Sequence, residues 1–104
     1  MSDSAVIEKQ VIDALRTCYD PEIPVNIYEL GLIYEVKVAP NGVVNVRMTL
    51  TSPACPSAQE LPIEAEAKVR TVPDVTDAKV EVVFDPPWDS SMMSEAAKLQ
   101  LGLL

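Results

Sequence analysis

The sequence predicts a small α/β (α+β) protein, a two-layer sandwich in which helices cover a mixed three-stranded sheet in the order helix, hairpin, helix, strand, helix. Three observations predict it. Apolar residues recur at helical spacing in some segments, alternate with polar residues in others, and prolines stand where one pattern gives way to the next. With 104 residues, 48% of them hydrophobic, the chain suits a single domain over residues 1–104, holding a modest core without disulfides or a structural metal.

Ile7, Val11, Ala14, Leu15 and Cys18 lie on one helical stripe, so a helix is expected from about Ser4 to Cys18, capped by Ser4 or Asp3. Pro21 and Pro24 prevent its continuing past Tyr19. Cys18, on the apolar stripe, reads as a small buried hydrophobe.

From Leu32 to Leu50 the period changes to two on both sides of Pro40-Asn41-Gly42, which predicts a hairpin. A three-residue turn with Gly42 left-handed pairs Val38 with Val44, Val36 with Val46, Glu35 with Arg47 and Tyr34 with Met48, so that apolar meets apolar. A two-residue turn slips the register by one and turns one strand's apolar set to the wrong face.

Ala58, Leu61, Ala65, Val69 and Val72 form a second helical stripe that ends before Pro73. Pro56 suits a first helical position, whereas Pro62 either kinks the helix or marks where its regular part begins. Val75 to Phe84 alternates as a third strand, parallel to the second. Beyond Asp85-Pro86-Pro87, Ser91 is expected to cap a last short helix with Met92, Ala96 and Leu99 on its apolar side and Gly102 at its end.

Eight basic against 16 acidic residues leave a formal charge of −8, and the basic residues are scattered, so nucleic acid and anionic membranes are not expected partners. No apolar run approaches the ~18 residues of a membrane span, and Met1-Ser2-Asp3-Ser4 carries no charged-then-apolar leader pattern. A cytoplasmic location with both cysteines as free thiols is therefore expected.

The predicted register sets Thr51 opposite Gly31. Three loops then meet at one sheet edge, bringing Asp20 and Glu22, Thr51 and Cys55, and Asp85 and Trp88 together at the carboxyl ends of two strands. Cys55 is the principal candidate, since a thiol in a turn before a helix meets unpaired N–H groups and the positive end of the helix dipole, which favour thiolate. Asp20 and Glu22 are candidate co-ligands or acid and base groups, Thr51 an orienting hydroxyl, and Trp88 and Met92 an apolar wall. A stable zinc or iron-sulfur site usually takes about four cysteine or histidine ligands. With two cysteines and no histidine, the chain offers no closed metal site and no histidine base, leaving Cys55 as a transient or shared metal ligand.

Asp20-Pro21-Glu22-Ile23-Pro24-Val25-Asn26-Ile27, Glu29-Leu30-Gly31-Leu32-Ile33-Tyr34, Met48-Thr49-Leu50-Thr51 with Cys55-Pro56, and Phe84-Asp85-Pro86-Pro87-Trp88 with Met92-Met93-Ser94-Glu95 together resemble the SufT and PaaD-like family of small iron-sulfur maturation proteins, in its stand-alone bacterial, SUF-associated form. The resemblance implies an iron-sulfur cluster assembly domain-like α/β fold and an accessory role in maturing iron-sulfur proteins. It places functional positions at Asp20, Glu22, Ile23, Thr51 and Cys55, the cysteine being the reactive one. No tightly bound cofactor is expected, only transient iron or an iron-sulfur cluster, with the assembly machinery or client apoproteins as partners. A homodimer is compatible with it. The alternatives are a small cysteine-dependent enzyme and a scaffold subunit of a multicomponent oxygenase. Ala54 and Asp89-Ser90-Ser91 depart from the usual family pattern.

Overall fold

The computed structural model describes residues 4–20, 23–51 and 60–102. Helix α1 (Ser4–Leu15) buries Ile7, Val11 and Leu15. It ends one turn before Cys18 because Thr17 and Cys18 donate to Ala14 and Leu15, three residues back, at 3.1 Å each, so the last turn tightens. Cys18 is nevertheless fully buried, as its place on the stripe predicts.

Strands β1 (Ile33–Val38) and β2 (Val43–Met48) form the hairpin. Gly42 has φ +85° and donates to the Ala39 carbonyl at 2.9 Å, giving the three-residue turn. A Cβ there would run into the Asp74 carbonyl oxygen. Val38 faces Val44, Val36 faces Val46 and Glu35 faces Arg47, as the turn requires. The expected Tyr34–Met48 pair does not form. The register shifts between Ile33 and Glu35, Met48 faces Ile33, and Tyr34 is the extra residue of a β-bulge. Thr49 then donates to the Leu32 carbonyl at 2.8 Å, so at this last rung the register is one residue away from the one that would set Thr51 opposite Gly31.

Strand β3 (Asp77–Val82) runs parallel to β2, with Val44 opposite Ala78 and Met48 opposite Val82, in a sheet of order β1-β2-β3. It is shorter than the alternation from Val75 to Phe84 because the Val75 N–H still closes the preceding turn onto Pro73 at 2.9 Å, while Phe84 lies beyond the ladder and half exposed.

Helix α2 (Glu60–Arg70) buries Leu61, Ala65 and Val69 and packs on β3 and α1, while α1 packs on β1. These residues join Val44, Val46 and Met48 and the loop residues Ile27, Leu30 and Leu32 in one core. Glu35, Lys37, Asn45, Arg47, Lys79 and Glu81 line the sheet's opposite, open face. Pro62 stands in the first turn of α2, where a missing N–H costs no helical bond, so it marks where the regular helix begins; Pro56 and Ala58 lie outside the described residues.

The carboxyl-terminal segment corrects the sequence reading. Asp89 caps a short 3-10 turn (Ser90–Met92) by accepting from the Ser91 N–H at 2.7 Å, and it also takes the Ser91 hydroxyl. Ser91 thus acts as a donor and is not itself the cap. Helix α3 (Glu95–Gln100) is capped by Ser94, whose hydroxyl accepts from the Ala97 N–H at 3.1 Å. This later start turns Ala97 inward beside Met93 and leaves Ala96 and Leu99 exposed. Among the described residues no helix is long and apolar enough to cross a membrane.

Candidate functional site

The segment between α1 and β1 is closed by local hydrogen bonds. Ile27 donates to the Cys18 carbonyl at 2.9 Å, Tyr19 bridges to Asn26, and the Asn26 side chain accepts from the Glu29 N–H at 3.0 Å. Just past α1, Arg16 reaches Glu29 at 3.2 Å and stacks its guanidinium 5.0 Å from the Tyr28 ring centre. Within this loop Asp20 is only 6% exposed, which distinguishes it from a solvated loop carboxylate. Ile23 is half-buried against the core.

The chain after β3 crosses the same end of the sheet. Val83 makes the last rung to Met48 at 2.8 Å. The bulged Tyr34 then donates its hydroxyl to the Pro86 carbonyl at 2.8 Å and lies 3.6 Å from Met92 Sδ. Trp88 Nε1 donates to the Leu30 carbonyl at 2.8 Å, Ser94 N–H to Glu29 at 2.8 Å, and Gln100 Nε2 to Pro24 at 2.9 Å. Gly31, with φ +81°, lies so close to Met92 that a Cβ would meet its carbonyl group. Residues 84–94 are thereby strapped over the entry to β1. Trp88→Phe keeps most of the buried ring but orphans the Leu30 carbonyl, and should lower unfolding free energy by about 1–2 kcal/mol in urea titrations.

Between strap and sheet lies an open groove of about 580 Å³, with Tyr34, Arg47, Asp85 and Met92 among its walls. Just past β2, Thr49 is fully buried and its hydroxyl finds no hydrogen-bond partner among the described residues. Thr51, half-buried, follows at the end of the same strand. The three converging loops of the sequence reading are therefore met in part: the loop from Asp20, the end of β2 and the strap share one edge. Glu22 and Cys55 lie outside the described residues. Among the described residues no three Cys, Asp or Glu side chains stand close enough together to hold a metal ion.

Burial, reinforced by the nearby Glu64 charge, pushes the Cys18 thiol above its ordinary pKa. Such a thiol keeps its proton in the fold when the unfolded chain has lost it. Its contribution to stability is complete below the ordinary value of ~8.5 and is lost as pH rises through the folded value. Native Cys18 should resist iodoacetamide until the protein unfolds, and unfolding midpoints should fall above about pH 9. Labelling of Cys18 in the native state at the rate of a free thiol would contradict this.

Sequence reasoning passed over Tyr34, Gly31 and Thr49. Tyr34 reads as an ordinary ladder residue opposite Met48, and only its contacts with the strap distinguish it. A signal existed for Gly31, since a glycine between Leu30 and Leu32 at a strand entry marks a close backbone approach.

Compared with known proteins, residues 8–82 match the family model described as iron-sulfur cluster assembly protein. The chain belongs to the iron-sulfur cluster assembly protein family. An Fe-S protein maturation auxiliary factor of Porphyromonas gingivalis is 50% identical over 97 residues, covering 93% of this chain and 92% of that one. The Fe-S protein maturation auxiliary factor SufT of Staphylococcus aureus is 40% identical, over 81% of this chain and 96% of its own. Among solved structures, a domain of unknown function from Bacillus anthracis superposes with a TM-score of 0.90 at 35% identity, covering 97% of this chain and 96% of that one. The family's α+β arrangement is thus the one derived from the periodicities, and both maturation factors align across nearly their whole length.

Proposed function

We propose that this protein is an accessory factor in iron-sulfur protein maturation, in which Cys55 transiently holds iron or a cluster, or binds a partner, while Asp20, Glu22, Thr51 and Ile23 shape the site. The observation that carries the reading is the pairing of Thr49 with Leu32: it joins the strand end that leads through Thr51 to Cys55 with the segment that enters from Asp20. Thiolate is a soft ligand suited to iron-sulfur chemistry. Of the two cysteines in the chain, Cys18 is committed to the core, so one thiol is left for exchange. A single thiol suits a hand-over better than storage, because its partner must supply the remaining ligands. Without histidine, an enzymatic role would have to recruit Asp20, Glu22 or water as base, which suits thiol chemistry poorly near neutral pH. Assembly proteins and client apoproteins are the partners this reading implies.

The test is transfer in vitro. Protein incubated anaerobically with ferrous iron and sulfide is mixed with an apo iron-sulfur protein, and cluster arrival is followed by visible absorbance. Cys55→Ser should abolish the acceleration and Cys18→Ala should retain it in the folded fraction. Equal acceleration by wild type and Cys55→Ser overturns the reading.

A further inference from the structure

The two edges of the sheet are finished differently. On β3, helix α2 closes the outer edge: Arg70 Nη2 donates to the Ala78 carbonyl at 2.8 Å, and Glu66 Oε1 accepts from the Val80 N–H at 3.4 Å. Arg70 is itself held by Asp77 at 2.7 Å. On β1, the Ala39 to Val43 bond at 2.9 Å sets the alternation of the antiparallel ladder, so Lys37 and Glu35 bond to β2 while the N–H and C=O groups of Val36 and Val38 point outward. Among the described residues nothing bonds to those outward groups. Beside them runs a groove of about 150 Å³, walled by Glu8 and Ile12 of α1, Tyr28, and Tyr34 and Val36 of β1. Val36 and Val38 are only half-buried. This edge has donors, acceptors and apolar side chains to offer another strand.

We propose that the outer edge of β1 pairs antiparallel with the same edge of a second copy, joining two three-stranded sheets across a two-fold axis at Val36. Charge complementarity selects this occupant and this register. Outward-bonding residues must face one another, so Val36 can oppose residue 34, 36 or 38 of the partner. Opposite residue 38 it brings the two copies of Lys37 together, and opposite residue 34 the two copies of Glu35. Only Val36 facing Val36 of the partner subunit sets Glu35 against Lys37 of the partner subunit, and it does so twice, once on each side of the axis. Those side chains lie on the open face with Arg47 and Glu81, where no helix obstructs them. A lysine on an edge strand discourages indiscriminate pairing; here it permits one register and rejects its neighbours. The bulge at Tyr34 ends the regular edge, confining pairing to the residues between it and the turn.

The test is the oligomeric state of the full chain by sedimentation velocity at low salt over a range of concentrations. Wild type should form a dimer that weakens with added salt. Lys37→Glu places like charges opposite each other at both contacts while leaving the bond to β2 intact, and should weaken the dimer about tenfold or more. The double variant Glu35→Lys with Lys37→Glu should restore it. Val36→Pro removes one outward N–H and no bond to β2, and should abolish dimerisation with the circular dichroism of the fold retained. A wild type that is monomeric throughout, a dimer indifferent to Lys37→Glu, or a double variant that stays monomeric overturns the proposal.

Discussion

Replacing Gly31 by alanine should destabilise the protein by about 2–4 kcal/mol. Two costs combine. Gly31 has φ +81°, a conformation that costs an L-residue roughly 1–2 kcal/mol, and the added Cβ would also overlap the Met92 carbonyl, with the carbonyl carbon only 2.8 Å away. The obstruction is backbone, so no side-chain rotation relieves it. Relief requires the strap to rise from the sheet, which loosens the Tyr34–Pro86, Trp88–Leu30 and Ser94–Glu29 hydrogen bonds together. Trp88 is the only tryptophan in the chain, so its emission reports the strap directly. Gly31→Ala should shift that emission to the red and lower the urea midpoint, and proteolysis should cut within residues 84–94 before the rest of the fold. Unchanged emission and midpoint would show that strap and sheet are not held together at Gly31.

The same contacts explain what was legible beforehand. The hairpin could be read to the residue between Glu35 and Val38 because period-two alternation and the Pro40-Asn41-Gly42 turn are local and agree with each other. The bulge could not. It is tied to a hydrogen bond between Tyr34 and Pro86, separated by 52 positions, and no window around Tyr34 contains that information. The last helix was misplaced for a related reason. Asp89, Ser90, Ser91 and Ser94 are all good caps, and the choice is decided by the Ser94 N–H reaching Glu29 at 2.8 Å. Asp20 was recognised as a candidate from its motif, but its burial depends on how the loop closes through Cys18 and Ile27. Cys18 was readable because the apolar stripe of α1 carries on into the tightened turn that follows the helix.

For function the largest expected effect belongs to Cys55→Ser. Serine preserves nearly the size of the side chain, but its hydroxyl ionises far outside the range in which a thiolate forms, and it is a poor ligand for iron in a cluster. If Cys55 hands on iron or a cluster, the substitution removes the transfer while leaving the fold intact. Asp20→Asn separates the site's shape from its charge and should reduce transfer less, because the thiolate remains. Cys18→Ala is the complementary control. It removes a buried sulfur and should cost about 1–2 kcal/mol of stability while leaving Cys55 chemistry untouched.

The most direct measurement is made in cells that lack the protein's own gene and carry either wild type or Cys55→Ser at equal abundance, grown under iron limitation or oxidative stress. The activity of iron-sulfur enzymes is assayed in extracts beside that of an enzyme without a cluster. Cys55→Ser should lower iron-sulfur enzyme activity to the level of the empty strain and leave the other enzyme unchanged. Full iron-sulfur enzyme activity with Cys55→Ser would contradict the role proposed for Cys55.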